Sequence, residues 1–172
     1  MSVDYYMAVD PGQATGVAIG RLSKEEPLEI IYTAIIQGGT RGFVDWLQET
    51  RNGRAITEMD CMMNYPKEYA SIDYHLDVVC ETFQTRGNRF AADLEPLRIE
   101  GVLIDRFGTV THWQHPSDKI LVGDDFLKKH DLWTTGSQVG HTDGRDANDA
   151  LLHLFAYTMK KKHTPTLEAY WR

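Results

Sequence analysis

The first 38 residues contain three short apolar segments separated by turn residues, and this pattern constrains the fold most strongly. YYMAVD (5–10) runs into a Pro-Gly pair, TGVAIG (15–20) runs into the charged turn SKEEP, and LEIIYTAIIQ (28–37) runs into a Gly-Gly pair. Short segments rich in aromatic and β-branched residues are typical of strands, and proline and glycine mark the turns between them. Strands joined by turns this short are antiparallel neighbours. The sequence therefore predicts a three-stranded antiparallel meander.

The middle of the chain alternates between helical and strand-like segments. TRGFVDWLQETR (40–51) has apolar residues at helical spacing, with Thr40 as a candidate N-cap. HLDVVCETF (75–83) has a nearly continuous apolar centre, which is typical of a strand buried on both faces. RFAADLEPLRIEGVLIDRFG (89–108) indicates a second helix, in which Pro96 marks a kink or the helix start. Residues 51–75 give no clear pattern.

The last third adds a strand and two helices. TVTHWQ (109–114) alternates like a strand, VGDDFLKKHDLW (122–133) is a short helix with Asp124 as a candidate cap, and GRDANDALLHLFAYTMKKK (144–162) is a longer helix. The order is then β-β-β-α-β-α-β-α-α, with no internal repeat and no linker. We expect one α/β domain that spans residues 1–172.

Charge and composition narrow the class of protein. The chain has 172 residues, a formal net charge of -7 and 42% hydrophobic residues, which suits a globular domain with a real core. The acidic excess lies in residues 1–81, which hold 13 acidic and 6 basic residues, so the later half is free to present a basic surface to a nucleic acid. No apolar run approaches the roughly 20 residues of a membrane span.

The N-terminus and the cysteines indicate a cytoplasmic protein. MSVDYYMAVDPG has an acidic residue where a signal peptide needs basic ones. Two cysteines, Cys61 and Cys80, are too few for a disulfide framework, and we expect both to be reduced thiols rather than a bridge. These features predict cytoplasmic localisation and no membrane partner.

Acidic residues stand where predicted elements end or begin. Asp10 ends the first strand, Glu81 ends the fourth, and Asp146 and Asp149 lie in the first turn of the last long helix. Active sites of open α/β sheets collect at the carboxyl ends of strands. If the first and fourth strands are adjacent, Asp10 and Glu81 meet, and a helix that begins nearby brings the two aspartates against them.

Four carboxylates packed together repel one another, and a divalent cation removes that repulsion. Mg²⁺ takes oxygen ligands, and two such ions about 4 Å apart suit phosphodiester hydrolysis. Each acid also has an ordinary structural explanation: Asp10 precedes a Pro-Gly turn, and Asp146 and Asp149 suit the positive end of a helix. Glu81 is harder to explain in this way, because an isolated buried charge is very costly.

The order of these motifs resembles a known family. DPGQATGVAIG, DVVCE, HWQHPSDKILVGD and GRDANDALLHL resemble, in sequence order, segments of the RNase H-like superfamily, and especially of RuvC-like Holliday-junction resolvases. The middle of the chain and HPSDK, with the following FLKKHDLW, are similar to the small resolvases that phages encode. The resemblance implies an RNase H-like mixed five-stranded sheet flanked by helices, in a single nuclease domain.

The resemblance also implies a site. Asp10, Glu81, Asp146 and Asp149 would be the metal-binding acids, and Lys119 would be the basic residue near the scissile phosphate. The implied cofactor is Mg²⁺, two ions for each active site, with Mn²⁺ as a substitute. The alternative for Lys119 is a solvent-exposed lysine.

The activity that the resemblance implies is crossover-junction endonuclease cleavage of branched DNA. A four-way (Holliday) junction is the main substrate, with flaps and forks as further candidates, and the enzyme would act as a homodimer in the cytoplasm, that of the host if a phage encodes it. The helix around residues 90–106 is the candidate dimer surface. The alternatives are an RNase H-like nuclease for RNA or an RNA–DNA hybrid, and a non-catalytic junction-binding protein.

Basic and aromatic residues around the acids are candidates for DNA contact. The basic ones are Arg86, Arg89, Lys119, Lys128 and Lys129. The aromatic ones are Phe83 and Phe90, which are equally ordinary core residues.

Two histidines lie near the acidic motifs. His141 is in the loop before the last long helix, where it either reaches the site or sits on the loop. His153 lies one turn beyond Asp149, where helix packing is favoured over contact with the acids.

Overall fold

The computed structural model describes residues 3–51, 76–83, 93–136 and 143–172. The predictions for the QTRGNR loop, Cys61, Phe90 and His141, and the unassigned segment up to residue 75, fall largely or wholly outside these residues. Among the described residues, no helix is both long and apolar enough to cross a membrane.

A mixed five-stranded sheet forms the centre of the structure, in the order β3-β2-β1-β4-β5. β1 pairs with β2 and β2 with β3 in antiparallel fashion, whereas β4 runs parallel to both β1 and β5. The strands are β1 (Val3–Asp10), β2 (Ala14–Ser23), β3 (Glu29–Gln37), β4 (Leu76–Glu81) and β5 (Thr111–Gln114). The predicted meander is confirmed, and so is the predicted α/β class, a mixed five-stranded sheet flanked by helices.

Five α-helices belong to the described residues. They are α1 (Gly39–Arg51), α2 (Glu95–Phe107), α3 (Asp124–Lys129), α4 (Arg145–Lys160) and α5 (Thr164–Trp171). Two 3₁₀ helices, Gly108–Val110 and Pro116–Leu121, flank β5.

At the starts of three helices, the structure either corrects a prediction or decides between two alternatives. Pro96 lies at the start of α2, not at a kink within it. Thr40 is not the N-cap of α1, because the helix already begins at Gly39 and the Thr40 N–H and hydroxyl both donate to Glu95. Asp124 is not the cap of α3, because Gly123 holds that position and Asp124 lies in the first turn.

The final helix, α5, was absent from the sequence prediction, although Pro165 in its first turn is a helix-start signal. Tertiary hydrogen bonds fix its position: the Leu28 N–H donates to the Thr166 hydroxyl, and His163 Nε2 lies 2.7 Å from the Ser23 carbonyl oxygen. These bonds attach α5 to the turn between β2 and β3, so long-range contacts make this short segment helical.

Each face of the sheet packs against its own hydrophobic layer. Met7, Val9 and Val78 pack with residues of α1 and α2, whereas Ala8 and Val79 pack with residues of α4. This division follows from the alternation of side chains along a strand. It confirms that β4 is buried on both faces, and Cys80 within it is a buried free thiol.

A glycine allows α4 to approach the sheet at the end of β1. Gly16 on β2 pairs with Asp10 on β1, and a Cβ at Gly16 would lie 1.9 Å from the Asp146 carbonyl oxygen. The first turn of α4 therefore rests directly on the backbone of β2. This contact places the aspartates of α4 beside the end of β1.

Candidate active site

Three adjacent parallel strands end in polar side chains at the same edge of the sheet. Asp10 ends β1, Glu81 ends β4 and Gln114 ends β5, and Glu81 and Gln114 are direct partners in the register. Strand alternation places all three on the face that α4 covers. The predicted meeting of Asp10 and Glu81 occurs because β1 and β4 are neighbours. Gln114 was missed, although it ends its strand as the two acids do.

His153 lies between these strand ends and α4. Its side chain has no solvent exposure, its Nε2 lies 2.6 Å from Glu81 Oε2, and its Nδ1 lies 2.7 Å from Gln114 Oε1. One donor atom each from Asp10, Glu81 and His153 lies within 4.8 Å of the others, which makes them a group able to hold a metal ion. Both predicted alternatives for His153 therefore hold, because the ring is buried under α4 and also contacts Glu81.

Lys119 connects the Glu81 carboxylate at the end of β4 with the Asp149 carboxylate on α4. Its Nζ lies 2.7 Å from Asp149 Oδ2 and 3.1 Å from Glu81 Oε2. The 3₁₀ helix after β5 aims it, and a reciprocal capping box between His115 and Asp118 fixes the start of that helix. Burial lowers the pKa of Lys119, but the carboxylates around it outweigh burial and raise this pKa above its ordinary value. Lys119 is thus a partly buried, ion-paired ammonium group, not the solvent-exposed lysine of the alternative.

The two aspartates of α4 have different surroundings. Asp149 is 8% exposed, and one of its oxygens accepts from Lys119. Its other oxygen, Oδ1, is buried and forms an ion pair with Arg145, whose Nε lies 3.2 Å away. Asp146 is partly buried and close enough for its charge to act on Asp10. Arg145 also donates to Asp124, which ties α3 to the start of α4.

The crowding of acids changes the protonation of Asp10 and Glu81. Burial, opposed by Lys119 and assisted by the neighbouring carboxylates, raises the pKa of Asp10 to about 8. Burial also acts to raise the pKa of Glu81, but hydrogen bonds with His153 and Lys119 outweigh it and hold this pKa below its ordinary value. The site therefore holds one carboxyl group that favours a proton or another cation beside a second that stays ionised.

The residues fit a divalent ion. Asp10 and Glu81 supply carboxylate oxygens at one point, together with an imidazole nitrogen of His153, and the Asp149 carboxylate lies nearby, joined to Glu81 through Lys119. Carboxylate oxygens are the ligands that Mg²⁺ and Mn²⁺ take in proteins. A bound cation would also offset the repulsion that contributes to the raised pKa of Asp10.

The candidate DNA contacts are only partly visible. Arg86 and Arg89 lie outside the described residues. Lys128 and Lys129 lie on α3, where the Lys128 ammonium is 4.7 Å from the centre of the Trp133 ring and 3.9 Å from Asp125. The Phe83 side chain is partly buried, and its backbone N–H donates to Glu100.

Comparison with known proteins gives a distant likeness among solved structures. No family model matches the chain, and no curated protein matches it. Among solved structures, it is similar to RuvC of T. thermophilus in complex with a Holliday junction substrate, with a TM-score of 0.46 and 12% sequence identity, over 92% of this chain and 97% of that chain.

Proposed function

We propose that this protein is a metal-dependent endonuclease that cleaves branched DNA, with the four-way junction as its main substrate. The observation that carries the proposal is the meeting of Asp10 and Glu81 at the ends of adjacent parallel strands, with a donor atom from each within 4.8 Å. Lys119 contacts both Glu81 and Asp149, so the Asp149 side chain, which α4 carries, belongs to the same cluster. Carboxylates that converge on one point and are at least partly buried, with a lysine among them, suit hydrolysis of a phosphodiester bond.

Asp10, Glu81, Asp146 and Asp149 would hold the metal, and the resemblance of the motifs favours two Mg²⁺ ions. Bound divalent metal supplies Lewis-acid activation of the attacking water and charge for the leaving oxygen. Lys119 would offset negative charge on the scissile phosphate. Its ammonium group is positioned for this role because it lies beside Glu81 and Asp149, two of the residues that would hold the metal. The chain itself thus supplies ligands, orientation and one fixed positive charge.

The preference for junctions rests on the sequence motifs that resemble RuvC-like resolvases. A homodimer would place two such sites on symmetric strands of a four-way junction. The predicted dimer helix overlaps α2, on which Leu97 and Ile104 are 44% and 56% exposed, and this apolar surface supports the choice of that helix.

A cleavage panel tests the proposal. End-labelled four-way junction, flap, RNA–DNA hybrid and linear duplex of matched sequence are incubated with the protein in Mg²⁺ and in EDTA. We expect the junction to be cut fastest, and only with the metal present. Faster cutting of the hybrid would favour the RNase H-like alternative, and tight junction binding without any cleavage would favour the non-catalytic one.

Variants connect that activity to the site. Asp10→Asn and Asp149→Asn are expected to lower the cleavage rate by about 100-fold or more, since each removes a charged ligand while junction binding in a gel-shift assay is retained. Asp4→Asn is the matched control, because Asp4 is exposed on the same strand as Asp10. A cleavage rate of Asp10→Asn equal to that of the control would refute the metal-site assignment.

A further inference from the structure

The contacts of His153 are those of a metal ligand more than those of a packing residue. His153 is fully buried, and it is the nitrogen member of the group with Asp10 and Glu81 whose donor atoms lie within 4.8 Å of one another. Ligand atoms around one ion with bonds of about 2.1 Å are separated by roughly 3 to 4.3 Å, so small side-chain movements bring all three atoms into one coordination sphere.

Gln114 fixes the ring in the orientation that a ligand requires. Gln114 Oε1 lies 2.7 Å from His153 Nδ1, so this oxygen can accept from the tautomer of His153 that carries its hydrogen on Nδ1. Histidines that bind metals usually donate their second ring N–H to such an acceptor, which sets the tautomer. Gln114 is itself 3% exposed, and its backbone carbonyl oxygen accepts from the N–H and hydroxyl of Thr82.

With Nδ1 as the donor to Gln114, the other ring nitrogen presents its lone pair to a carboxylate. His153 Nε2 and Glu81 Oε2 lie 2.6 Å apart. Two acceptors approach this closely only when a positive species lies between them or bridges them. A proton on Nε2 serves this purpose in the hydrogen bond with Glu81, and a metal ion that takes both atoms as ligands would replace that proton.

We propose that His153 Nε2 is a metal ligand together with Asp10 and Glu81, and that this site consequently binds Mn²⁺ in preference to Mg²⁺. The inference rests on the proposed metal-dependent function and specifies the ion. Mg²⁺ is a hard ion that takes oxygen ligands and keeps much of its water, whereas a mixed carboxylate and imidazole set suits transition metals. The Mg²⁺ expected from the motifs would then bind more weakly at this position than Mn²⁺.

Binding measurements test the preference without any use of catalysis. Titration calorimetry of the full chain is expected to give a dissociation constant for Mn²⁺ at least about 10-fold below that for Mg²⁺. In His153→Gln the two constants are expected to come within a few-fold of each other. His112→Gln is the control, because His112 lies on β5 and pairs with Asp77 instead of the acids of the site. Equal affinities of the wild type for both ions would overturn the proposal.

Pulsed electron paramagnetic resonance of bound Mn²⁺ tests the ligand directly, even if His153→Gln does not fold. The wild type is expected to show coupling to an imidazole nitrogen that changes on ¹⁵N-histidine labelling and persists in His112→Gln. Mn²⁺ that binds the wild type, is lost in Asp10→Asn and shows no nitrogen coupling would contradict this inference alone. Failure of the proposed nuclease function would be a different result, namely the absence of junction cleavage with both Mg²⁺ and Mn²⁺.

Discussion

Replacement of Asp10 by asparagine is expected to change how the stability of the protein depends on pH. The pKa of the Asp10 carboxyl is raised from 3.8 to about 8, first by burial and then by the surrounding carboxylates. Between these two values the folded protein holds a proton that the unfolded chain has released. The free energy of unfolding therefore falls as pH rises through this window, and the loss is complete above about pH 8.

The magnitude follows from the size of the window. Each pH unit within it costs at most about 1.4 kcal/mol, so between pH 5 and pH 8 the wild type should lose up to about 4 kcal/mol that the asparagine variant retains. Solvent near the partly buried carboxyl reduces this upper limit, and we expect a measured difference of at least about 1 kcal/mol.

Urea unfolding in EDTA at several pH values between 5 and 8 measures the effect. The curves are compared for wild type, Asp10→Asn and the exposed-strand control Asp4→Asn, which should follow the wild type. Addition of Mn²⁺ is expected to reverse the loss in the wild type, because a bound cation stabilises the ionised carboxylate. Parallel pH profiles for wild type and Asp10→Asn in EDTA would refute the electrostatic argument.

Two further predictions, one of them with a control substitution, concern the scaffold. Gly16→Ala is expected to destabilise the protein by about 2 kcal/mol or more and to impair cleavage, because the new Cβ overlaps the Asp146 carbonyl oxygen. Gly101→Ala is the control: no atom lies within 4 Å of its added Cβ, so this change should stabilise the protein by about 0.5–1 kcal/mol. Equal thermal shifts for the two variants would contradict this reasoning. Glu95→Gln is expected to lower the melting temperature above about pH 4.5, because hydrogen bonds from Thr40 hold the pKa of Glu95 at about 2. The stabilisation by ionised Glu95 is lost as pH falls from about 4.5 to about 2. Calorimetry should therefore show the melting temperatures of wild type and Glu95→Gln converging at acid pH.

Local patterns were sufficient to predict most of the elements. Alternation, turn residues and proline positions predicted the five strands and the helices up to α4, because each signal depends on near neighbours in the chain. Helix ends were less accurate. Thr40 was assigned as a cap, whereas Glu95, 55 residues away, accepts its hydrogen bonds, and no local pattern contains that contact.

The site was predicted in outline but not in its connections. Asp10 and Glu81 were recognisable because each carboxylate ends a strand, and the same rule applied to β5 would have found Gln114. The link from Glu81 to His153, 72 residues apart, had no sequence signal beyond the position of His153 one turn after Asp149. Lys119 came from the family resemblance alone.

By itself, the sequence determined which residues form strands, which helix carries the aspartates, and where acidic side chains end their elements. These properties depend on periodicity and backbone preference over a few residues. Only the tertiary structure decided that β1 and β4 are parallel neighbours, that α4 rests on Gly16, and that a buried histidine faces Glu81. Those contacts join distant segments, and they form only where two faces of the sheet bury their apolar side chains against helices at the same time.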